Sequence, residues 1–257
     1  MRTLRLTIAY DGTRYAGWQI QRRGGPTIQA TIERVLARIL REPAAVVASG
    51  RTDAGVHALA QVAHVRVRSS LPCERLARSL NALLPPDITV TRIGETSQAF
   101  HARFSAVSKR YRYRIFTGAV VPPFERLYVH HVPVRLNVAL MRREARALEG
   151  RHDFRAFARA AGPRRSTRRT IHEVAVRRRG EELHIEIAGN GFLHTMVRSL
   201  AGTLIDVGRG RFAPGAVRRL LRNGQRRSAG TTAPAKGLVL VSVSYPATRR
   251  VFTTRSR

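Results

Sequence analysis

The chain has 257 residues, of which 47 are Lys or Arg and 16 are Asp or Glu, so its formal net charge at pH 7 is +31. A chain of this length buries about three quarters of its unfolded surface, and its single cysteine, Cys73, excludes an intramolecular disulfide and a zinc site built from several thiolates. No apolar run approaches the roughly 20 residues that a membrane helix needs, and the N-terminus alternates like a strand instead of resembling a signal peptide, so we expect a cytoplasmic protein without membrane contact.

Six elements are predicted in the first part of the chain. In the order strand, helix, strand, strand, helix, strand, they span residues 3–10, 28–41, 44–49, 61–68, 72–83 and 87–94. The strands alternate apolar and polar side chains. Thr27 is a suitable N-cap for the first helix, and Pro72 begins the second. The order βαββαβ is typical of a ferredoxin-like unit.

The second part of the chain repeats this order with insertions. Its predicted elements are a strand at 106–117, a helix at 137–149, a hairpin of 170–178 and 182–189, a helix at 191–206, a short basic helix at 215–222 and a strand at 237–245. Asn137 can cap the first of these helices, Gly150 ends it, and Gly180 supplies the hairpin turn.

These patterns predict the fold and its division. We predict an α/β (α+β) fold in which two ferredoxin-like (RRM-like) βαββαβ halves join through a central, largely antiparallel sheet, with an active-site cleft between them. The first domain spans 1–104 and carries a glycine-flanked loop at 50–57, and the second spans 105–245. Residues 246–257 form a basic tail without apolar periodicity, which we expect to be disordered.

The positive charge favours a nucleic-acid partner, because such a field concentrates polyanions near the surface. Lysine occurs only at 109 and 236, so nearly all of the charge is arginine. Coding bias can explain the choice of arginine over lysine, but it does not explain the excess over the acids. The segment Arg159–Thr170 contains five arginines and little apolar content, which favours a mobile basic loop that contacts RNA over a merely solvated one.

The loop at 50–57 reads Gly-Arg-Thr-Asp-Ala-Gly-Val-His and places Asp53 two residues from Arg51. An isolated Asp near Gly is usually a turn residue that accepts local backbone hydrogen bonds. Here the loop leaves a strand of an α/β unit, where functional loops concentrate. We expect Arg51 to keep the Asp53 carboxylate ionised, so that it can serve as a nucleophile or a general base.

The remaining acids argue against paired-carboxylate and metal chemistry. A retaining glycosidase needs a second carboxylate about 5 Å from the first, and a metal nuclease needs several around its ions. The five Asp residues are scattered, at 11, 53, 87, 153 and 206. The nine His residues show no metal spacing, and we interpret them, His194 included, as structural or RNA-facing. We expect neither a metal nor a cofactor.

Two further segments carry candidate residues. In the strand 109–116, Tyr111 and Tyr113 share one face and Arg110, Arg112 and Arg114 share the other, an arrangement that suits base stacking with phosphate contact. The alternative is a strand that buries its aromatic face under a helix. For Tyr113, this alternative and base stacking are equally favoured.

Arg198 lies in an otherwise apolar helix. It is either a surface charge or a residue that points into a site and meets an acid, since a buried arginine normally requires such a partner.

Together, these motifs resemble the tRNA pseudouridine synthase family called TruA. The matching stretches, in family order, are 10–19, 50–57, 100–106, Arg110-Tyr-Arg-Tyr113, His152-Asp-Phe154, Met196-Val-Arg198 and Ala233-Pro-Ala-Lys-Gly-Leu238. They extend over roughly residues 3–245, while the tail beyond Pro246 has no counterpart.

The resemblance implies isomerisation of uridine to pseudouridine at positions 38, 39 and 40 of the tRNA anticodon arm. It implies that Asp53 is the nucleophile, that Arg51 helps to displace the target base, that Tyr111 packs on that base and that Arg198 pairs with the aspartate. A homodimer without metal or organic cofactor is also implied. A non-catalytic RNA-binding protein and a metal-independent RNA-cleaving enzyme are the competing interpretations. The first has no need for Asp53, and the second lacks a His pair at a recognisable spacing.

Overall fold

The structure is a computed structural model that describes residues 1–22, 24–159, 166–225 and 229–246. Its strands are β1 (Arg2–Tyr10), β2 (Val46–Ala48), β3 (His57–Val67), β4 (Ile88–Thr96), β5 (Ser108–Phe116), β6 (His130–His131), β7 (Gly150–Asp153), β8 (Arg168–Arg179), β9 (Glu182–Gly189) and β10 (Leu238–Ser244). Its α-helices are α1 (Ile28–Leu40), α2 (Cys73–Leu83), α3 (Val138–Arg146), α4 (Met196–Gly208) and α5 (Ala216–Asn223).

All of these strands belong to one sheet, whose main path runs β4-β1-β3-β10-β5-β9-β8-β7. Strand β2 pairs with β3, so the first half has the order β4-β1-β3-β2 and the second half has the matching order β10-β5-β9-β8. Among the described strands, only β3 with β10 and β5 with β6 pair in parallel. The predicted α/β fold of two ferredoxin-like halves in a largely antiparallel sheet is confirmed.

The two halves meet at a very short joint. Strand β10 pairs with β3 through Val239↔His57 and Leu240↔Ala58, and with β5 along most of its length. Because β1 occupies the other side of β3, β2 and β10 share the same side and leave a gap between them. The loop that connects β2 to β3 therefore emerges where the halves join.

The helices bury the apolar face of each half. In the first half, α1 packs through Ile28, Ile32 and Leu36, which are at most 1% exposed. Thr27 caps this helix as expected, accepting a hydrogen bond from the backbone N–H of Ala30. In the second half, every residue of α4 except Arg198 is buried.

Several boundaries differ from those expected. Strand β7 was not expected; it pairs Gly150 with Ile171 and Asp153 with Arg168, which brings 168–170 into β8 instead of the predicted basic loop. Helix α4 begins five residues late because Thr195 has a φ of 60°, a left-handed conformation that interrupts the helix. Of the predicted loop, 160–165 lie outside the described residues, as do 247–257 of the predicted tail. The division at 104–105 falls between β4 and β5 and stays a prediction.

Helix α4 also depends on a close backbone contact. A Cβ atom added to Gly202 would lie 1.8 Å from the carbonyl oxygen of Thr231. Alanine normally stabilises a helix interior by about 1 kcal/mol relative to glycine. Here the clash would force α4 away from the segment 229–234.

We therefore expect Gly202→Ala to lower the free energy of unfolding by about 1–3 kcal/mol, the usual cost of overpacking. Urea unfolding followed by circular dichroism measures this. Gly94→Ala in β4 is the matched control, because a Cβ there meets no atom within 4 Å, and we expect it to be neutral. A Gly202→Ala protein as stable as the parent would contradict the close packing.

Candidate active site

The loop between β2 and β3 is held by the segment that follows β1. The Thr52 carbonyl accepts a hydrogen bond from the Trp18 N–H at 3.1 Å, and the Thr52 hydroxyl bonds to that of Tyr10 at 2.8 Å. Gly17 makes the approach possible, since its φ is +95° and an added Cβ would lie 2.7 Å from the Thr52 oxygen. A turn closed by the Val56 N–H and the Asp53 carbonyl at 3.1 Å then presents the Asp53 side chain. The motif 10–19 is thus a scaffold for the aspartate loop.

Asp53 contacts two side chains of the other half, Arg198 and His194. Its Oδ2 accepts a hydrogen bond from Arg198 Nη1 at 3.0 Å, and its Oδ1 lies 3.5 Å from His194 Nε2. The Asp53 side chain remains 22% exposed and that of Arg198 19% exposed. Arg198 therefore forms a hydrogen bond with Oδ2, whereas the described neighbour of Oδ1 is the more distant and exposed imidazole of His194. An ionised carboxylate in this position can act as a nucleophile or as a base.

Helix α4 and the segment 233–237 aim Arg198. Its Nε donates to the Ala233 carbonyl at 2.8 Å, which leaves Nη1 to reach Asp53. The left-handed Thr195 turns the chain between His194 and α4, so that both side chains reach the carboxylate. The pairing that the sequence left open for Arg198 is therefore with an acid, not with solvent.

Tyr111 is a buried aromatic residue close enough to Asp53 to feel its charge. It is 7% exposed, and its ring meets Phe192 edge to face with centroids 5.2 Å apart. Burial, with added effects of Tyr10 and Asp53, raises the pKa of its hydroxyl above the usual value, so it stays protonated at neutral pH. Tyr113 takes the alternative role of a core residue: it is fully buried and donates to the Pro234 carbonyl at 2.9 Å.

The structure shows the surroundings of Arg51 and of the β5 arginines, whose contacts with RNA stay predictions. Arg51 is exposed and forms no ion pair with Asp53 in the described chain, because Arg198 and His194 occupy the carboxylate instead. The arginines of β5, which we expected to contact phosphate, point to the opposite face of the sheet. There they pair with glutamates: Arg110 with Glu173 at 2.8 Å, Arg112 with Glu186 at 2.7 Å and Arg114 with Glu182 at 2.6 Å.

Comparison with known proteins identifies the family. A family model described as tRNA pseudouridine synthase matches residues 6–105 and 145–246. The chain belongs to this family. Relatives named tRNA pseudouridine synthase A include that of Exiguobacterium sp., 45% identical over 245 residues (95% of this chain, 98% of the relative). Those of Pelobacter propionicus and Moorella thermoacetica are 46% and 42% identical, each covering 95% of this chain and 100% of the relative.

A solved Cbf5–Nop10–Gar1 complex contains a more distant neighbour. It is 15% identical with a TM-score of 0.40 and covers 92% of this chain and 48% of its own, which is too remote to bear on function. The tRNA pseudouridine synthase family confirms the motif resemblance and the enzyme class, an isomerase.

The described residues were also compared with the requirements of a metal site and of a membrane helix. Within them no three His, Cys, Asp or Glu side chains come together as a metal site would require, and no helix is long and apolar enough to cross a membrane. Sequence reasoning missed His194 as a neighbour of Asp53 and Phe192 as a neighbour of Tyr111. Their closeness to Arg198 in the sequence was the signal that could have revealed them.

The ion pair between the halves can be measured directly. We expect Asp53→Asn and Arg198→Gln to be coupled by about 1 kcal/mol in the free energy of unfolding, a modest value because both groups are partly solvated. A double-mutant cycle by urea unfolding measures it. The pair Arg2–Glu95, 3.3 Å apart with the Glu95 side chain 58% exposed, is the matched control, and it should couple weakly. Additive losses for Asp53 and Arg198 would show that the pair contributes nothing.

Proposed function

We propose that this chain isomerises uridine to pseudouridine at positions 38, 39 and 40 of the tRNA anticodon stem-loop, with Asp53 as the single nucleophile after base flipping. The observation that carries the proposal is the geometry of Asp53: a loop carboxylate with Oδ2 3.0 Å from Arg198 Nη1 and a freer Oδ1. Membership of the tRNA pseudouridine synthase family supports it.

The overall conversion needs only one carboxylate. The N1–C1′ bond breaks, the uracil turns and the C5–C1′ bond forms, while C5 loses a proton and N1 gains one. Asp53 can add covalently to the base or the sugar, or it can remove a proton from the sugar. Each route uses the same ionised oxygen, and neither water nor a redox group is consumed.

The surrounding residues have roles that fit this reaction. The stacked uridine must first leave the helix, which costs a few kcal/mol. Arg51 is exposed and unengaged by other described residues, so it is available to enter the stack as the base leaves. Tyr111 offers a buried aromatic wall for the flipped base, and Arg198 holds the carboxylate in place. The net charge of +31 supplies the attraction for tRNA.

We further propose that the protein is a homodimer, that it acts in the cytoplasm and that it uses no cofactor. The chemistry written above requires none, and the dimer is carried over from the family. The competing interpretation, a non-catalytic RNA-binding protein, gives no reason for a carboxylate to be held between Arg198 and His194 in a basic cleft.

The role of Asp53 can be tested on tRNA labelled with tritium at uracil C5, since the label reaches water only when the C5–H bond breaks. We expect Asp53→Ala and Asp53→Asn to release no label above background, and both to retain tRNA binding within a few-fold. Glu95→Gln is the matched control, because this exposed carboxylate pairs with Arg2 at 3.3 Å and with no other described cation, and it should retain full activity. Full release by Asp53→Ala would refute the assignment, and no release by the parent on several tRNAs would refute the enzyme.

The effect of Arg51 on the reaction rate can be measured separately from its effect on tRNA binding. If it assists base displacement, Arg51→Ala should lower single-turnover rate by at least about tenfold, corresponding to about 1.4 kcal/mol, and weaken tRNA binding much less. Filter binding and tritium release on the same preparation give the two numbers. Equal losses of rate and affinity would instead mean that Arg51 makes an ordinary phosphate contact.

A further inference from the structure

Strand β5 carries four cations, Lys109, Arg110, Arg112 and Arg114, whose environments differ sharply. On one face of the sheet, Arg110, Arg112 and Arg114 each lie within 2.8 Å of a glutamate oxygen. On the other face, Lys109 has no hydrogen bond or ion pair with any described residue. The sequence therefore compensates three cations of this strand and leaves Lys109 uncompensated.

The surroundings of Lys109 are cationic as well as partly desolvated. A Cβ added to Gly50 would lie 3.2 Å from its Nζ, so the ammonium rests against the start of the aspartate loop. Burial, followed by the nearby charges of Arg103 and Arg169, lowers the pKa of Lys109 from its ordinary value to about 8. The same causes, burial and Arg103, lower the pKa of Arg169. Arg169 approaches from β8, where its Nε lies 3.7 Å from a Cβ added to Gly191, two residues after the Gly189 that pairs with Lys109. None of the described carboxylates pairs with Lys109.

Neighbouring strands bring no anion to this place. Lys109 pairs with Gly189 of β9, which has no side chain, and with Val243 of β10. Partial burial of an unpaired cation costs free energy unless an anion from outside the protein satisfies it. A phosphate group fits, because it is a compact anion that accepts several charge-assisted hydrogen bonds.

The position of Lys109 relates it to the reacting nucleotide. It lies two residues before Tyr111 on the same face of β5, about 7 Å along the strand. Gly50, against which its Nζ rests, lies three residues before Asp53. An anion held by Lys109 would therefore lie beside the site where the base is turned, at the distance of a neighbouring backbone phosphate.

We propose that Lys109, Arg103 and Arg169 form a phosphate-binding subsite that holds a phosphodiester flanking the target uridine. The subsite rests on the proposed function for the identity of the RNA, and its charge cluster is independent of the reaction. Lys109 acts as a positioning residue: it fixes the backbone next to the flipped nucleotide and does not touch the reacting atoms.

A thermodynamic cycle on binding tests the subsite. The probe is a synthetic anticodon stem-loop with one target uridine, in which each phosphate in turn is replaced by a neutral methylphosphonate. The protein carries Asp53→Asn so that the RNA is not converted. We expect the replacement of one phosphate flanking the target uridine to weaken binding about tenfold with Lys109 present, and to have little further effect in Lys109→Gln.

Matched variants make this result specific. Lys236→Gln is the control, because it removes the chain's other lysine, whose Nζ instead donates to the Arg126 carbonyl at 2.9 Å. The flanking phosphate should remain sensitive in that variant. Lys109→Gln should also reduce the slope of log affinity against log salt by about 0.7–0.9, the effect of one lost phosphate contact. Equal sensitivity of every flanking phosphate with and without Lys109 would overturn the proposal.

The pH dependence adds a second signature. Phosphate binding would raise the depressed pKa of Lys109, so its contribution to affinity is complete below about pH 8 and is lost as the pH rises through the bound-state pKa. Between about pH 7 and about pH 9 we expect the parent to lose up to about tenfold in affinity, and Lys109→Arg, flanked by the same Arg103 and Arg169, to lose much less. Parallel losses in the two proteins would contradict the role of Lys109.

The outcomes are separable from those of the proposed function. Tritium release by the parent on the same stem-loop reports the reaction, and the methylphosphonate cycle reports only the contact. Release without coupling at Lys109 refutes the subsite alone. If Lys109 is coupled to one phosphate but the parent releases no tritium, the isomerase activity on this RNA is refuted and the subsite is supported.

Discussion

The parallel pairing of β3 with β10, only two residues long on each strand, is the contact on which the site depends. It places the loop that leaves β2 beside the start of α4, although Asp53 and Arg198 are 145 positions apart in the chain. The segment before β10 contributes too, since the Ala233 carbonyl accepts from Arg198 and the Pro234 carbonyl from Tyr113. One joint therefore aligns the Asp53 carboxylate of one half with Arg198 and Tyr111 of the other.

The sheet also separates charges by face. On the side away from α4, the arginines of β5 are neutralised by glutamates of β8 and β9, which uses several of the chain's 16 acids for structure. On the side of Tyr111, the described acid nearest the site is Asp53, and it is itself paired. The net charge of +31 is thus unevenly distributed. The arginines of β5 are compensated by glutamates, whereas Lys109 on the other face has no anionic partner among the described residues.

Local patterns allowed most of the fold and the centre of the site to be predicted from the sequence. Alternation gave the strands, Thr27 and Asn137 gave two helix starts, and the lone aspartate of a glycine-flanked loop gave Asp53. The partner of Asp53 could not be inferred from spacing, because Arg51 is near in sequence whereas Arg198 is near in space. His194 looked ordinary for the same reason, and strand β7 depended on a long-range register that no local pattern encodes.

Strand register also explains why Lys109 has no anionic partner among the described residues. Its two paired neighbours are Gly189 and Val243, so the register of β9 and β10 withholds any carboxylate from it. At Gly189 an added Cβ would lie 2.7 Å from the Thr170 carbonyl oxygen, so close packing already excludes a side chain there. A glutamate at position 243 would have competed with phosphate for the same ammonium. Leaving the position apolar sacrifices a little stability and keeps the site open to an anion. An RNA phosphate then compensates the charge of Lys109, as glutamates compensate the arginines on the opposite face. Because RNA binds the folded state, it also raises the stability of the protein by mass action.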